Sequence, residues 1–252
     1  MKINSLFTDS CPTPALSGAF FTKNTKSLTM FRTLALTSLA AAYVAGSAQA
    51  AVLAQYTFGT VDTPTFAATT TDPLLTASAV TGNAALTAFN LQTNLGYASQ
   101  PVLLNIPSSG STTAANAVTN ASYFSFTVDP TSVGATFSLT NLTFDAARGG
   151  SGSPRGWVVR SSADSFATNL GTSDIGTVRS TFTNYSVSLT GSSFQDLTGP
   201  ITFRIYSYSP STLSSVEYDN ITLNGVAIPE PSSLALLAAG GLLIAKRRRR
   251  NA

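Results

Sequence analysis

Between Tyr123 and Leu223, several runs place an apolar side chain at every second position, and this period limits the fold more than any other feature. In Tyr123-Phe124-Ser125-Phe126-Thr127-Val128 the residues Phe124, Phe126 and Val128 share one face, and Asp129-Pro130 closes the run. Successive side chains of an extended chain point to opposite sides, so such a run is a strand with one buried face. Phe137 with Leu139 repeats the pattern, and Leu142 with Phe144 resumes it after a change of register. Tyr185, Val187 and Leu189 follow, then Ile201, Phe203 and Ile205, and a last strand Val216–Leu223 closed by Asn224-Gly225. Between Ala51 and Ala227 no amphipathic helix of useful length is found. Residues 60–121 are less regular, with Pro64, Pro73, Pro101 and Pro107 as interruptions, and predict strands over 86–91 and 102–106. The Gly/Ser-rich segment 148–155 reads as a flexible loop. Short strands at this spacing, joined by Gly, Ser and Asp turns, predict an all-β fold: a two-layer antiparallel β-sandwich of jelly-roll type.

Charge separates the body from its ends. The whole sequence has 14 basic and 11 acidic side chains, yet Lys2, Lys23, Lys26 and Arg32 lie near the start and Lys246 to Arg250 near the end. Ala51–Ala227 keeps five Arg, no Lys, eight Asp and one Glu, a net charge of −4. A nucleic-acid partner for the body therefore lacks an electrostatic basis. The sequence contains no His and one Cys, Cys11, which excludes a Ser-His-Asp triad, an imidazole metal site and an internal disulfide.

The N-terminal part carries an export signal. Met30-Phe31-Arg32-Thr33 is a short basic start, Leu34 to Gly46 an apolar stretch, and Ser47-Ala48-Gln49-Ala50 an Ala-x-Ala cleavage site before Ala51. Residues 30–50 are thus predicted to be a secretion signal peptide handled by the Sec machinery and signal peptidase, with Ala48 and Ala50 marking the site and the cut falling between Ala50 and Ala51. Residues 1–29 fit neither signal nor domain, and translation is expected to start at Met30.

At the other end, Ile228-Pro229-Glu230-Pro231 precedes an apolar run from Leu234 to Ala245 and the basic cluster Lys246-Arg247-Arg248-Arg249-Arg250. The prolines favour an extended, accessible backbone. The basic cluster is a membrane stop that stays cytoplasmic. Ser232 to Ala245 makes roughly 21 Å of helix against ~30 Å of hydrocarbon, a short membrane anchor suited to temporary use. This order of motif, helix and arginines resembles the PEP-CTERM sorting signal of Gram-negative bacteria. The resemblance covers residues 228–252 and implies recognition of Pro229, Glu230 and Pro231 by an exosortase, a transient hold in the inner membrane, and then release or transfer to the cell surface. Bacteria with this system typically make exopolysaccharide, so it also implies a matrix setting.

The body, residues 51–227, offers few candidate sites. Gln55–Gly59 and Tyr218–Leu223 resemble the first and last strands of carbohydrate-binding-module sandwiches. Asp145, Glu217 and Asp219 are candidate oxygen ligands for Ca²⁺; alternatively Asp145 caps a strand end while Glu217 and Asp219 face solvent. No other cofactor is expected. Arg204, Tyr206 and Tyr208 share the face opposite Phe203 and Ile205 and form a candidate glycan face, or else ordinary exposed strand positions. Trp157 reads as a buried anchor. No carboxylate pair for acid–base chemistry stands out. These readings predict a non-enzymatic surface or matrix protein with a structural or adhesive role. A carbohydrate-binding module is the alternative, and a carboxylate-dependent polysaccharide hydrolase a third.

Overall fold

A computed structural model describes residues 50–93, 101–131, 135–211 and 213–229. They form two antiparallel sheets packed face to face, the sandwich that the alternation predicts. The first sheet contains β1 (Ala51–Tyr56), β2 (Thr70–Thr71), β5 (Ala88–Gln92), β6 (Val102–Ile106), β8 (Thr136–Arg148), β11 (Thr183–Ser188) and β13 (Val216–Ile228). Its path runs β11-β8-β13-β1-β2, with β6 also on β13 and β5 on β6. The second contains β3 (Leu75–Ala77), β4 (Thr81–Gly82), β7 (Tyr123–Pro130), β9 (Gly156–Ser161), β10 (Gly171–Asp174) and β12 (Ile201–Tyr208), ordered β10-β9-β12-β7-β3 with β4 on β7. Among the described residues there is one α-helix, the short α1 (Ala114–Thr119).

The core lies between the sheets and follows from the period. Phe203 pairs with Phe126, Ile205 with Phe124 and Ile201 with Val128, and all six are buried. From the first sheet Phe144, Tyr218, Ile221 and Leu223 face them. Rings join the layers: Phe124 meets Tyr218 edge-on at 5.0 Å, and Phe144 meets Trp157 edge-on at 5.0 Å. Trp157 is thus a buried anchor.

Three expected breaks are not breaks. The register change between Leu139 and Leu142 is a β-bulge inside the single long strand β8. Opposite it, Asn224-Gly225 makes no turn, and β13 continues to Ile228. A Cβ on Gly225 would lie 2.2 Å from the Ser138 carbonyl oxygen and 3.0 Å from the Leu139 Cα, so the close approach at the bulge requires glycine. Asp129-Pro130 likewise belongs to β7, where Pro130 lies opposite Leu75 of the short strand β3.

Buried phenols link the fold to pH. The Tyr56 hydroxyl donates to the Ser78 carbonyl at 2.8 Å, and the Tyr218 hydroxyl shares a 2.8 Å hydrogen bond with Ser207. Burial pushes both phenols above their ordinary 10.0. A raised folded value means that the stabilisation is complete below the unfolded value and is lost as pH rises past it. Thermal unfolding is therefore expected to hold steady from neutral pH to about 10 and to fall steeply above it. A melting temperature unchanged well above that pH contradicts the burial of these hydroxyls.

Candidate functional site

The outer face of the second sheet was the expected glycan platform, and the structure divides it. Tyr206 and Tyr208 are only 3 % and 5 % exposed. Helix α1 covers this end, with Ala117 packed among Val158, Tyr206 and Tyr208. The helix starts at Thr113, whose Oγ1 accepts from the Asn116 amide at 3.2 Å. The Tyr208 hydroxyl donates to Asp174 Oδ1 at 2.6 Å and to the Ser173 carbonyl at 3.2 Å, and burial raises its pKa. Neither ring presents a free face, which corrects the expectation of an exposed tyrosine pair.

Arg204 is different. It is half-buried, and its Cζ lies 4.4 Å from the centroid of the Tyr123 ring and 3.6 Å from that of Phe166. Tyr123 comes from β7 on one side of β12; Phe166 comes from the connection that follows β9 on the other. Directly opposite Arg204 in the β12–β9 register stands Arg160. Arg160 donates from Nε to Asn169 Oδ1 at 2.7 Å and from Nη1 to the Phe166 carbonyl at 2.8 Å.

Phe166 is held in place by an unusual backbone. Ser165 and Phe166 both adopt left-handed φ values, 59° and 63°, a conformation uncommon outside glycine. Such residues persist only where the surroundings hold them. Asp164 does so here: its carboxylate accepts from the Ala167 amide at 3.1 Å, the Thr168 amide at 2.9 Å and the Thr168 hydroxyl. The Thr168 hydroxyl bond is the largest cause of the lowered Asp164 pKa. Neither the aromatic contacts of Arg204 nor this loop was legible in the sequence.

The three candidate Ca²⁺ ligands do not converge. Asp145 accepts from Asn184 Nδ2 at 2.8 Å and from Asn220 Nδ2 at 2.9 Å, so side-chain amides engage both of its oxygens. Asp219 lies opposite it in register, is buried, and accepts from the Asn220 amide at 2.7 Å. Glu217 sits two positions along, 1 % exposed, and accepts from the Ser215 hydroxyl. Glu217 and Asp219 thus do not face solvent. Among the described residues no group of three His, Cys, Asp or Glu side chains is placed to hold a metal.

The loop after β8 is also more ordered than its glycines imply. Arg148 and Arg155 are each 1 % exposed. Arg148 donates from Nε to the Gly150 carbonyl at 2.9 Å, from Nη1 to Gly176 at 3.3 Å, and from Nη2 to Ser151 at 3.3 Å, to Gly152, and to Ser153 Oγ at 3.1 Å. Arg155 Nη1 donates to the same Gly150 carbonyl at 2.9 Å. The segment is wound around two buried guanidiniums.

The C-terminal end of the described chain is Ile228, paired with Thr136, and exposed Pro229, which has no N–H to extend the ladder. Glu230, Pro231, the apolar run and Lys246, Arg247, Arg248, Arg249 and Arg250 lie outside the described residues, as do residues 1–49 with Ala48. Ala51 opens β1 and pairs with Gly225, so cleavage before it leaves β1 whole. Among the described residues no helix is long and apolar enough to cross a membrane.

Comparison with known proteins places the tail. Residues 227–250 match the family model of the PEP-CTERM protein-sorting motif, so the chain carries that motif. No curated protein matches the chain. Among solved structures it is similar to TmCBM61 in complex with beta-1,4-galactotriose, at 11% identity and a TM-score of 0.34, over 58% of this chain and 86% of that one. A mutant of the family 29 carbohydrate-binding module CBM29-2 gives 14% identity and a TM-score of 0.33, over 69% and 91%. The CBM22-1–GH10 modules of Clostridium thermocellum endo-1,4-beta-D-xylanase 10B, complexed with xylohexaose, give 10% and 0.38, over 69% and 28%.

Proposed function

We propose that this protein is exported by its signal peptide, held briefly in the inner membrane by its tail, and sorted by an exosortase. The β-sandwich then serves outside the cell as a structural or adhesive component of an exopolysaccharide layer. The observation that carries this reading is the sorting motif over residues 227–250, which begins within the last strand of the body. A non-catalytic role is supported by the absence of His from the whole sequence and of Lys from Ala51–Ala227. The hydrogen bonds that already engage Asp145, Asp219 and Glu217 support it further.

The sorting part is tested by Glu230→Ala in the native host. Wild-type protein is expected in the medium or on the cell surface. The variant is expected to accumulate uncut in the inner-membrane fraction, with at least about a tenfold drop in released protein, the size of effect that ~1.4 kcal/mol of lost recognition produces. Unchanged release removes the role assigned to the motif.

A second reading, a carbohydrate-binding module, is favoured by one feature: the Arg204 guanidinium beside the Tyr123 and Phe166 rings.

A further inference from the structure

We infer that the outer face of the second sheet, centred on Arg204 and Arg160, binds the carboxylate of an acidic sugar unit within a polysaccharide. The inference deepens the adhesive reading above and rests on it.

Charge is the first argument. In a body of net charge −4, two arginines stand directly opposite each other on adjacent strands. Like charges at directly opposed positions destabilise a sheet, and a bound anion removes that cost. Among the described residues neither Arg160 nor Arg204 is paired with a carboxylate. Arg204 has no hydrogen-bond acceptor there, and its contacts are the two rings. Arg160 spends Nε and Nη1 on Asn169 and Phe166 and keeps Nη2. A carboxylate that reaches both side chains meets donors from each, and charge-assisted hydrogen bonds are the strong ones.

The surroundings select a sugar among carboxylates. Phe166 and Tyr123 are half-buried and hold Arg204 between β7 and the loop after β9, which fixes the guanidinium before any ligand arrives. The face continues in hydroxyls: Ser125 lies opposite Arg204, Thr127 opposite Thr202, and Thr81 opposite Ser125. Thr127 and Thr202 hydrogen-bond each other at 2.8 Å and remain partly accessible. A row of hydroxyls beside two guanidiniums suits a chain that carries hydroxyls and carboxylates at regular intervals. The left-handed Ser165 and Phe166, tied down by Asp164, are the rigid support.

The test uses full-length protein purified in detergent, so its outcome does not depend on sorting. Binding is measured to polygalacturonate, to the same polymer with its carboxylates methyl-esterified, and to poly-glutamate and dextran sulfate. Polygalacturonate is expected to bind at least about tenfold more tightly than the other three, a difference of ~1.4 kcal/mol. Arg204→Gln, Arg160→Gln and Phe166→Ala are each expected to weaken binding by a similar factor. Arg204→Lys, which keeps the charge but not the planar fork, is expected to fall between. Arg179→Gln removes one charge from an exposed position elsewhere and is expected to leave binding unchanged. Near-ultraviolet circular dichroism confirms that each variant is folded. Equal binding to the esterified polymer, to poly-glutamate or to dextran sulfate overturns the inference, as does an Arg179→Gln loss equal to that of Arg204→Gln. Failure of polygalacturonate to bind overturns it while leaving the sorting reading intact.

Discussion

Phe144→Ala is expected to lower the stability of the sandwich by about 3–5 kcal/mol, the range for emptying a buried phenylalanine site. Phe144 is fully buried in β8 and touches rings from both layers: Trp157 at 5.0 Å, Tyr218 at 5.9 Å and Tyr185 at 6.0 Å. Truncation removes the ring that joins β9 of one sheet to β8 and β13 of the other. Backbones on either side belong to long hydrogen-bonded ladders, so the site has little freedom to collapse, and cavity costs are largest where collapse is prevented. Urea unfolding followed by Trp157 fluorescence measures the change. The same substitution at Tyr185, half-buried on the edge strand β11, is expected to cost less than half as much. A Phe144→Ala cost below ~1 kcal/mol is incompatible with the packing described.

Arg148→Met is expected to have the next largest effect, about 2–4 kcal/mol, although it swaps one long side chain for another of similar reach. The guanidinium reaches the carbonyls of Gly150, Ser151, Gly152 and Gly176, and hydrogen bonds to charged donors contribute more than neutral ones. Methionine fills part of the space but donates nothing, so the Ser151, Gly152 and Gly176 carbonyls lose this donor, Gly150 keeps only Arg155, and the segment between β8 and β9 loses its organising centre. Limited proteolysis is expected to cut the variant between residues 149 and 155 at conditions where the wild type resists. Arg179→Met, at an exposed position, is expected to stay within about ±0.5 kcal/mol. Equal stability and equal protease resistance in Arg148→Met rule out the clamp.

The two predictions draw on parts of the molecule that differ in how readable they were. Phe144, Phe124, Phe126, Phe203 and Ile205 were legible as core because each alternates with a polar neighbour on a strand with one covered face. The strand Val102–Ile106 was read to its residue limits. Strand β9 escaped because Gly156, Trp157, Val158 and Val159 are all buried, so no alternation marks it. The cause is α1, six residues long and too short to show a helical period, which covers Val158 and hides Tyr206 and Tyr208 as well. Asn224-Gly225 is among the strongest short turn signals, yet here its glycine serves a close backbone approach in a long strand. Arg148 and Arg155 lie at the ends of a Gly/Ser stretch that reads as solvent-exposed, and nothing local shows that the loop folds back over them. Of the candidate glycan face, Arg204 was identified and Phe166 was missed. A half-buried ring held by two left-handed residues leaves no periodic trace.

The placement of β13 has a mechanical consequence. On one edge it is zipped to β8 from Val216 to Ile228 except at Asn220-Ile221, and on the other to β6 at Val216–Tyr218 and to β1 at Ile221–Gly225. A load applied through Pro229 first meets Val226–Ile228, which among the described residues pair with β8 alone, and from Gly225 inward it has to shear ladders on both edges. A tail hung from an edge strand would instead peel away rung by rung at low force. Because the matched motif begins at residue 227 inside this interior strand, tension drawn through the tail would be carried by the centre of the sheet.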